Sequence, residues 1–326
     1  MTRELKISIA MTTFNGAKYI LEQLESFAWQ TRLPDELIVT DDGSTDNTVQ
    51  ILEEFALKSP FEVRIYRNEV NLGYARNFDR ALSLCTGDLI FLSDQDDVWF
   101  DDKIEVVVAV AINFSDALLF INDAELALED CSPLGLTQFS QILALGLSES
   151  EFTMGCCMAL RKELLRLVLP VSEMSDSHDA WINKISCLIE SRYVIKKTLQ
   201  YYRRHCGNAS SCIASSVEQR SWVDLFRAYV FRDQRIYAAY RFRQLSVMKD
   251  RLERNSFSFR TTPFMEKRIE KALLVLRSEQ LAIKNRLRFM KYSRCYRWFF
   301  AFYFYFSTRY RHFSGWKSLV KDVFLK

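Results

Sequence analysis

The sequence predicts an α/β protein, with a mostly parallel central sheet and flanking helices, followed by an α-helical, basic extension at the C-terminus. Three observations carry this. The first hundred residues alternate short apolar runs with helix-period segments, the pattern of βαβ units. The acidic clusters of that region directly follow apolar runs, where the carboxyl ends of parallel strands bind ligands. The charge divides near Ser215: residues 1–215 hold 19 Lys and Arg against 32 Asp and Glu, a balance of −13, whereas residues 216–326 hold 25 against 9, or +16. Residues 1–215 are therefore read as a catalytic or binding domain, and 216–326 as a helical, basic and aromatic region suited to an anionic surface.

Each element follows from local pattern. Residues 7–12 read as a strand, and the helix after it places Ile20, Leu24, Phe27 and Ala28 on one face. Residues 36–40 (ELIVT) form a second strand, and DDGSTDNT supplies a Gly turn and polar caps for a helix through Phe55. Residues 63–66 are a third strand, 74–85 a helix ending at Thr86-Gly87, and 89–93 (LIFLS) a fourth strand running into Asp94-Gln95-Asp96-Asp97. Beyond Lys103 the pattern loosens to a helix near 105–111, a strand near 117–121 and a polar stretch over 122–151 read as a loop. Then come a strand at 156–160, a short helix at 162–169 stopped by Pro170, an amphipathic helix at 179–189, a strand at 198–202 and helical propensity from Val217 onward.

The 326 residues are 49% hydrophobic and 26% charged with only 9 Gly and 5 Pro, which excludes a disordered or fibrous chain. Met1–Lys6 enters an apolar run with no cleavage site, so a cytoplasmic location is expected. The eight cysteines contain no CxxC pair, which indicates reduced thiols rather than zinc or disulfides. The longest apolar run of the tail, 298–306 (WFFAFYFYF), is far shorter than the roughly 18–20 residues that cross a bilayer.

Asp94, Asp96 and Asp97 place three carboxylates within four residues at a strand end. Like charges so close oppose one another's ionisation, and a hard divalent ion such as Mg²⁺ or Mn²⁺ relieves that; a solvated acidic turn is the competing reading. The polar ends of the first two strands, Thr12-Thr13-Phe14-Asn15-Gly16 and Asp41-Asp42-Gly43-Ser44, can hydrogen-bond a base and ribose. Neither GxGxxG nor GxxxxGK[ST] is present, which argues against dinucleotide oxidoreductases and P-loop enzymes. Cys156 and Cys157 are read as core rather than as nucleophiles.

In order along the chain, SIAMTTFNG, ELIVTDDGSTDNT, NLGYARNFDRAL, GDLIFLSDQDDVW, GCCMAL, SHDAW and YRRHCGNAS resemble the family 2 glycosyltransferases of GT-A (Rossmann-like) fold, especially a bacterial rhamnosyltransferase-like branch. The resemblance covers roughly residues 5–215. It implies an inverting, metal-dependent transfer of a sugar, with rhamnose a candidate, from a UDP- or dTDP-linked donor to a growing glycan or polyprenyl-diphosphate-linked acceptor. Carried over by position, Thr12, Asn15, Asp41, Asp42 and Asp94 are expected at the nucleotide, and Asp94, Asp96 and Asp97 at the metal, Asp96 the nearer ligand. Asp179 is expected to be the catalytic base, with His178 and Trp181 on the acceptor side, where Trp181 stacks on a sugar or fills the core. Arg203, Arg204 and His205 are expected to cover the diphosphate or order a loop over it. Asn71, Gly73 and Arg76 border the donor in similar proteins. Ala180 departs from the HDWW form and Cys206 from YRxHGxN.

In the tail, Arg286 to Arg294 and Arg309 to Phe313 alternate basic and aromatic residues. Such helices lie on anionic bilayers without crossing them, which places the protein peripherally at the inner face of the cytoplasmic membrane; an intramolecular lid is the alternative. No nucleic-acid motif accompanies the charge. A processive polysaccharide synthase is disfavoured for want of a QxxRW-type motif, and a non-catalytic nucleotide-sugar-binding assembly partner is the alternative outside the enzymes.

Overall fold

The computed structural model describes residues 4–175, 177–208, 216–218, 234–255 and 263–289. The chain divides into two compact units, Met1–Arg227 and Ala228–Lys326.

In the first unit, β1 (Ile7–Thr13), β2 (Glu36–Asp41), β3 (Glu62–Arg67) and β4 (Leu89–Ser93) form one parallel half-sheet in the order β3-β2-β1-β4. β1, β2 and β4 read as nearly continuous apolar runs because helices cover both faces, as parallel strands require. Those crossovers are α1 (Ile20–Ala28), α2 (Thr48–Ala56) and α3 (Tyr74–Leu84). β3 closes the edge, and its charged Glu62, Arg64 and Arg67 discourage pairing with another chain. Glu36, wholly buried at the start of β2, is held by the Ser8 hydroxyl, the Thr86 backbone N–H at 2.6 Å and the Arg64 guanidinium.

The second half of the sheet is mixed. β5 (Val98–Trp99), α4 (Lys103–Asn113), β6 (Leu119–Ala127), β8 (Met158–Arg161), α6 (Lys162–Val168) and α7 (His178–Leu188) lead to β9 (Arg192–Arg203). β8 lies antiparallel between β4 and β6, β6 runs parallel to β9, and β9 pairs β5 antiparallel. The parallel order expected from the sequence thus holds through β4 and then alternates. The edge-on contact of Phe27 with Trp99, ring centroids 4.7 Å apart, ties α1 to the short β5 and anchors the acidic turn before it.

The polar stretch over 122–151 is ordered, contrary to the loop expected of it. β6 runs through it to Ala127, β7 (Pro133–Thr137) pairs back, and α5 (Gln138–Ala144) follows. Its polar residues act as caps and anchors, which leave no periodic signal: Thr137 and Ser140 form a capping box, and Asp123 accepts from the Phe139 backbone N–H at 2.9 Å.

The second unit contains α8 (Gln234–Asn255) and α9 (Pro263–Phe289). Leu245, Met248 and Leu252 on α8 and Ile269, Ala272, Leu276 and Ile283 on α9 are buried at helical spacing. Arg241 pairs with Glu279 at 3.0 Å across the two helices. No helix among the described residues is long and apolar enough to cross a membrane. The aromatic run at 298–306 and the basic cluster 309–313 lie outside the described residues, as does most of the cluster that begins at Arg286.

Candidate active site

The carboxyl ends of β1, β2 and β4 open onto a cleft of about 690 Å³, closed on its other side by residues 151–156 and the first turn of α7. Thr12, Asp42, Asp94, Asp96, His178 and Asp179 all line it. Six residues that the sequence spreads over 168 positions are thereby brought into one cavity, because each lies at a strand end or helix start that faces the same edge of the sheet.

The turns after β1 and β2 divide their labour. Asp42 accepts from the Leu72 and Gly73 backbone N–H groups, both at 2.8 Å, and from Asn68 Nδ2 at 2.6 Å. It therefore holds the 71–73 loop against the cleft, and Gly73 meets this with a φ of 77°, a region that favours glycine. Asn71 and Gly73 line the cleft, whereas Arg76 pairs with Glu173 beside it. Asp41 is wholly buried, and its oxygens accept from Thr13 Oγ1 at 2.9 Å, Ser44 N at 2.9 Å and Gly43 N at 3.2 Å. Asn15 Oδ1 accepts from Thr45 N at 2.8 Å while its own N–H donates to Ser44 Oγ at 2.9 Å. Of the residues expected at the nucleotide, Thr12, Asp42 and Asp94 face the cleft, while Asp41 and Asn15 shape the turn behind it. What separates them is where their partners lie: those of Asp41 and Asn15 are in the turns after β1 and β2 themselves, those of Asp42 in the 68–73 segment that borders the cleft.

The 94–97 turn carries the strongest electrostatic crowding. Burial, then Asp96, Asp97 and Asp179, push the Asp94 carboxyl well above the usual range, so Asp94 and Asp179 act on each other across the cleft. Asp97 is fully buried and raised to about 7, by burial and then by Asp96. Lys103, also fully buried, offsets both, and burial lowers its own pKa to about 8. Oxygens of Asp94 and Asp97 and the Cys156 Sγ lie within 4.8 Å of one another. The Cys156 thiol is pushed well up by its hydrogen bond with Cys157 and by burial, and a neutral thiol is a poor partner for a hard cation. Asp97 accepts from Gln200 Nε2 at 2.9 Å and the Arg203 backbone N–H at 3.3 Å, facing the interior rather than the cleft. Asp96 Oδ2 lies 2.8 Å from His205 Nε2 and 3.1 Å from Asn208 Nδ2. The carboxylate oxygens of Asp94 and Asp96 in the cleft suit Mn²⁺ or Mg²⁺, and the His205 ring stands beside Asp96.

Asp179 stands in the first turn of α7, where Ser177 caps the helix. Its Oδ1 accepts from the Ala180 N–H at 2.7 Å and from the Ser177 hydroxyl, which orients the carboxylate. Next to it His178 is 6% exposed and stacks on Phe78, ring centroids 4.0 Å apart. Burial lowers its pKa against the opposing pull of Asp179, so the ring is neutral at physiological pH. Trp181 is wholly buried and its indole N–H donates to the Val168 carbonyl at 2.8 Å. Of its two expected places, beside an acceptor or in the core, burial selects the core: helical periodicity turns it inward, and no ring face is open to a sugar.

Arg203 is 2% exposed and donates to the Asp96 carbonyl at 2.9 Å, the Glu129 carbonyl at 2.9 Å and the Glu22 carboxylate. It orders the acidic turn rather than reaching into the cleft. Arg204 Nη1 donates to the Tyr202 hydroxyl at 3.1 Å, and neither arginine lines the cavity. His205 sits on Tyr19, ring centroids 4.4 Å apart.

Three residues of this region escaped sequence reasoning. Asn208 stood in a quoted motif without a role; Lys103 lay just before the helix expected near 105–111 and carried no role; Gln138 lay in the presumed loop. Gln138 is 1% exposed, lines the cleft, and its Nε2 has no hydrogen-bond partner among the described residues; the same holds for both ring nitrogens of His178. Only burial marks such groups, and a single sequence does not reveal it.

A parallel half joined to a mixed half, with an acidic turn where they meet, is the GT-A architecture. Residues 8–168 match the family model described as Glycosyl transferase family 2, and this part of the chain is a domain of that family. An uncharacterized glycosyltransferase of Nostoc sp. is 24% identical over 227 residues, 66% of this chain and 70% of that protein. A dTDP-rhamnosyl transferase of Shigella flexneri is 40% identical over 116 residues, 34% of this chain and 38% of its own length, so that likeness is confined to part of each. Among solved structures, Staphylococcus aureus TarS 1–349 in complex with UDP has a TM-score of 0.53 at 18% identity, covering 86% of this chain and 91% of that one. A Pyrobaculum calidifontis mannosyltransferase in complex with GDP-Man and Mn²⁺ has a TM-score of 0.50 at 15% identity, covering 99% and 86%. These structural likenesses establish the fold.

Proposed function

We propose that the chain is an inverting, divalent-metal-dependent glycosyltransferase that moves a sugar, with rhamnose the leading candidate, from a UDP- or dTDP-linked donor to a glycan or polyprenyl-diphosphate-linked acceptor. The observation that carries this is that Asp179 and the Asp94 and Asp96 carboxylates line one cleft, close enough for Asp179 to act on Asp94. The partial likeness to a dTDP-rhamnosyl transferase supports the sugar class.

In this reading the nucleotide lies against Thr12 and Asp42, and Asp94 and Asp96 with His205 hold the metal. A bound divalent ion supplies charge stabilisation for the departing diphosphate. Asp179 takes the proton from the acceptor hydroxyl as its oxygen attacks the anomeric carbon. The bond from that carbon to the phosphate oxygen breaks on the opposite face, and the nucleoside diphosphate leaves with the electron pair. One displacement inverts the configuration, and a base so placed contributes about 10²–10⁴-fold. Gln138 and His178, buried in the wall of this cleft without hydrogen-bond partners among the described residues, are assigned to hydroxyls of the bound sugars, since such groups each cost about 1–3 kcal/mol until paired.

Residues 1–215 are the proposed transferase domain. The +16 charge of residues 216–326 supports peripheral attachment to an anionic membrane at the cytoplasmic face, where lipid-linked acceptors would meet the cleft.

The test is a thermal-shift panel of UDP, dTDP, GDP and their sugar conjugates, with and without Mn²⁺, on the protein and its Asp96→Ala variant. Binding to the native state raises its melting temperature by mass action. A Mn²⁺-dependent shift with UDP or dTDP ligands that Asp96→Ala abolishes supports the reading. No shift with any nucleotide refutes it.

A further inference from the structure

Beneath the cleft lies a cation that sugar transfer does not use. Lys103 opens α4 and is wholly excluded from solvent. Its Nζ donates to the Cys156 carbonyl at 3.1 Å and to Gln200 Oε1, and sits 3.8 Å from the ring centroid of Trp99. Because Oε1 of Gln200 is taken by the lysine, its Nε2 is left to donate, and it does so to Asp97 Oδ2 at 2.9 Å. A chain from Lys103 through Gln200 to Asp97 thus joins α4, β9 and the acidic turn. The opposite side of that turn is gripped by Arg203, through its Nε on the Asp96 carbonyl at 2.9 Å and its backbone N–H on Asp97 Oδ1 at 3.3 Å.

Stability alone does not account for this arrangement. Exchanging a whole buried charged network for apolar residues of similar volume is often neutral or stabilising, so stability gives no reason for a lysine, a glutamine and an aspartate here rather than an apolar set. What an apolar set cannot do is fix the orientation of the Gln200 amide or place a positive charge beside the Asp94 and Asp97 carboxylates. Those two properties act on the same few atoms, the ones that set where Asp94 and Asp96 stand.

We infer that Lys103 is a positioning residue for the acidic turn: the Lys103–Gln200–Asp97 chain holds residues 94–97 in the shape that presents Asp94 and Asp96 to the cleft. Lys103 touches no substrate; it acts through Gln200 and through its charge. The inference rests on the metal-dependent reading only for its metal-binding readout.

The test compares full-length wild type with Lys103→Met, which removes charge and donor together, and with Gln200→Leu, which keeps the lysine and cuts the chain. Amide hydrogen exchange over residues 94–98 reports the turn without any ligand, and the loss of the free Mn²⁺ signal in electron paramagnetic resonance reports metal uptake. Both variants are expected to exchange faster at 94–98 alone and to bind Mn²⁺ at least about tenfold more weakly, the scale of losing an outer partner of a metal ligand. Wild-type exchange at 94–98, unchanged or tighter Mn²⁺ binding, or faster exchange spread over the whole chain would each overturn the inference. Wild-type protein that takes up no Mn²⁺ would refute the metal reading, while exchange at 94–98 would still decide the role of Lys103. Should Lys103→Met fail to fold, Gln200→Leu carries the same test.

Discussion

His205 Nε2 lies 2.8 Å from Asp96 Oδ2, with the His205 ring seated on Tyr19. The pair joins the end of β4 to the loop after β9, two segments 109 residues apart. If both hold the metal, removing either should weaken it. Asp96→Ala is expected to abolish Mn²⁺ uptake measured by isothermal titration calorimetry, and Tyr19→Leu, which removes the ring beneath His205 together with the hydroxyl's hydrogen bond to Glu129, to weaken it by about 10–100-fold. Unaltered Mn²⁺ affinity in Asp96→Ala would place the ion elsewhere.

Asp179 is already oriented by Ser177 and Ala180, so an amide of the same shape preserves the site while removing the base. Asp179→Asn is expected to lower kcat by about 10²–10⁴-fold while nucleotide binding in a thermal-shift assay stays at the wild-type level. A kcat within a factor of a few of wild type would remove Asp179 from the chemistry.

Gln138 carries an unpaired buried nitrogen in the cleft wall. Gln138→Leu should therefore raise the melting temperature, by relieving about 1–3 kcal/mol, and at the same time lower kcat/KM for sugar transfer. Raised stability with unchanged kcat/KM would assign Gln138 to the fold alone.

Glu36 makes the acid response readable. Burial pushes its carboxyl up, but hydrogen bonds from Ser8 and Thr86 and the Arg64 charge outweigh this and leave it below the ordinary glutamate value. A depressed carboxylate adds stability above the unfolded pKa and loses it as pH falls through the folded one. Melting temperature should accordingly fall more steeply below the ordinary glutamate pKa in wild type than in Glu36→Gln, which is also expected to be less stable at pH 7. Parallel curves would show that other carboxylates dominate acid unfolding.

Charge in the C-terminal region predicts binding of the full chain to vesicles rich in phosphatidylglycerol, measured by co-sedimentation, and release as salt is raised. Equal binding to neutral vesicles, or none to either, would count against membrane attachment.

How far the sequence led differs between elements. β1, β2 and β4 were legible because parallel strands covered on both faces are continuous apolar runs, and the acidic turn because three carboxylates in four residues stand out against any background. β7 and α5 were not, since their order comes from the Thr137 capping box and the Asp123 anchor rather than from periodicity. Trp181 shows the limit from the other side: its residue type left sugar stacking and core packing open, and burial assigned it to the core.

By itself the sequence determined the α/β class, the strand ends that carry carboxylates and the separation of an acidic body from a basic tail, because each is written in local pattern or summed charge. Tertiary structure alone decided which carboxylates face the cleft. Asp42, Asp94 and Asp96 do, whereas Asp41 and Asp97 are turned away into hydrogen bonds with Thr13, Ser44, Gln200 and Arg203. Adjacent acidic residues look alike along a chain; what separates them is which backbone and side-chain donors, distant in sequence, the fold brings within reach.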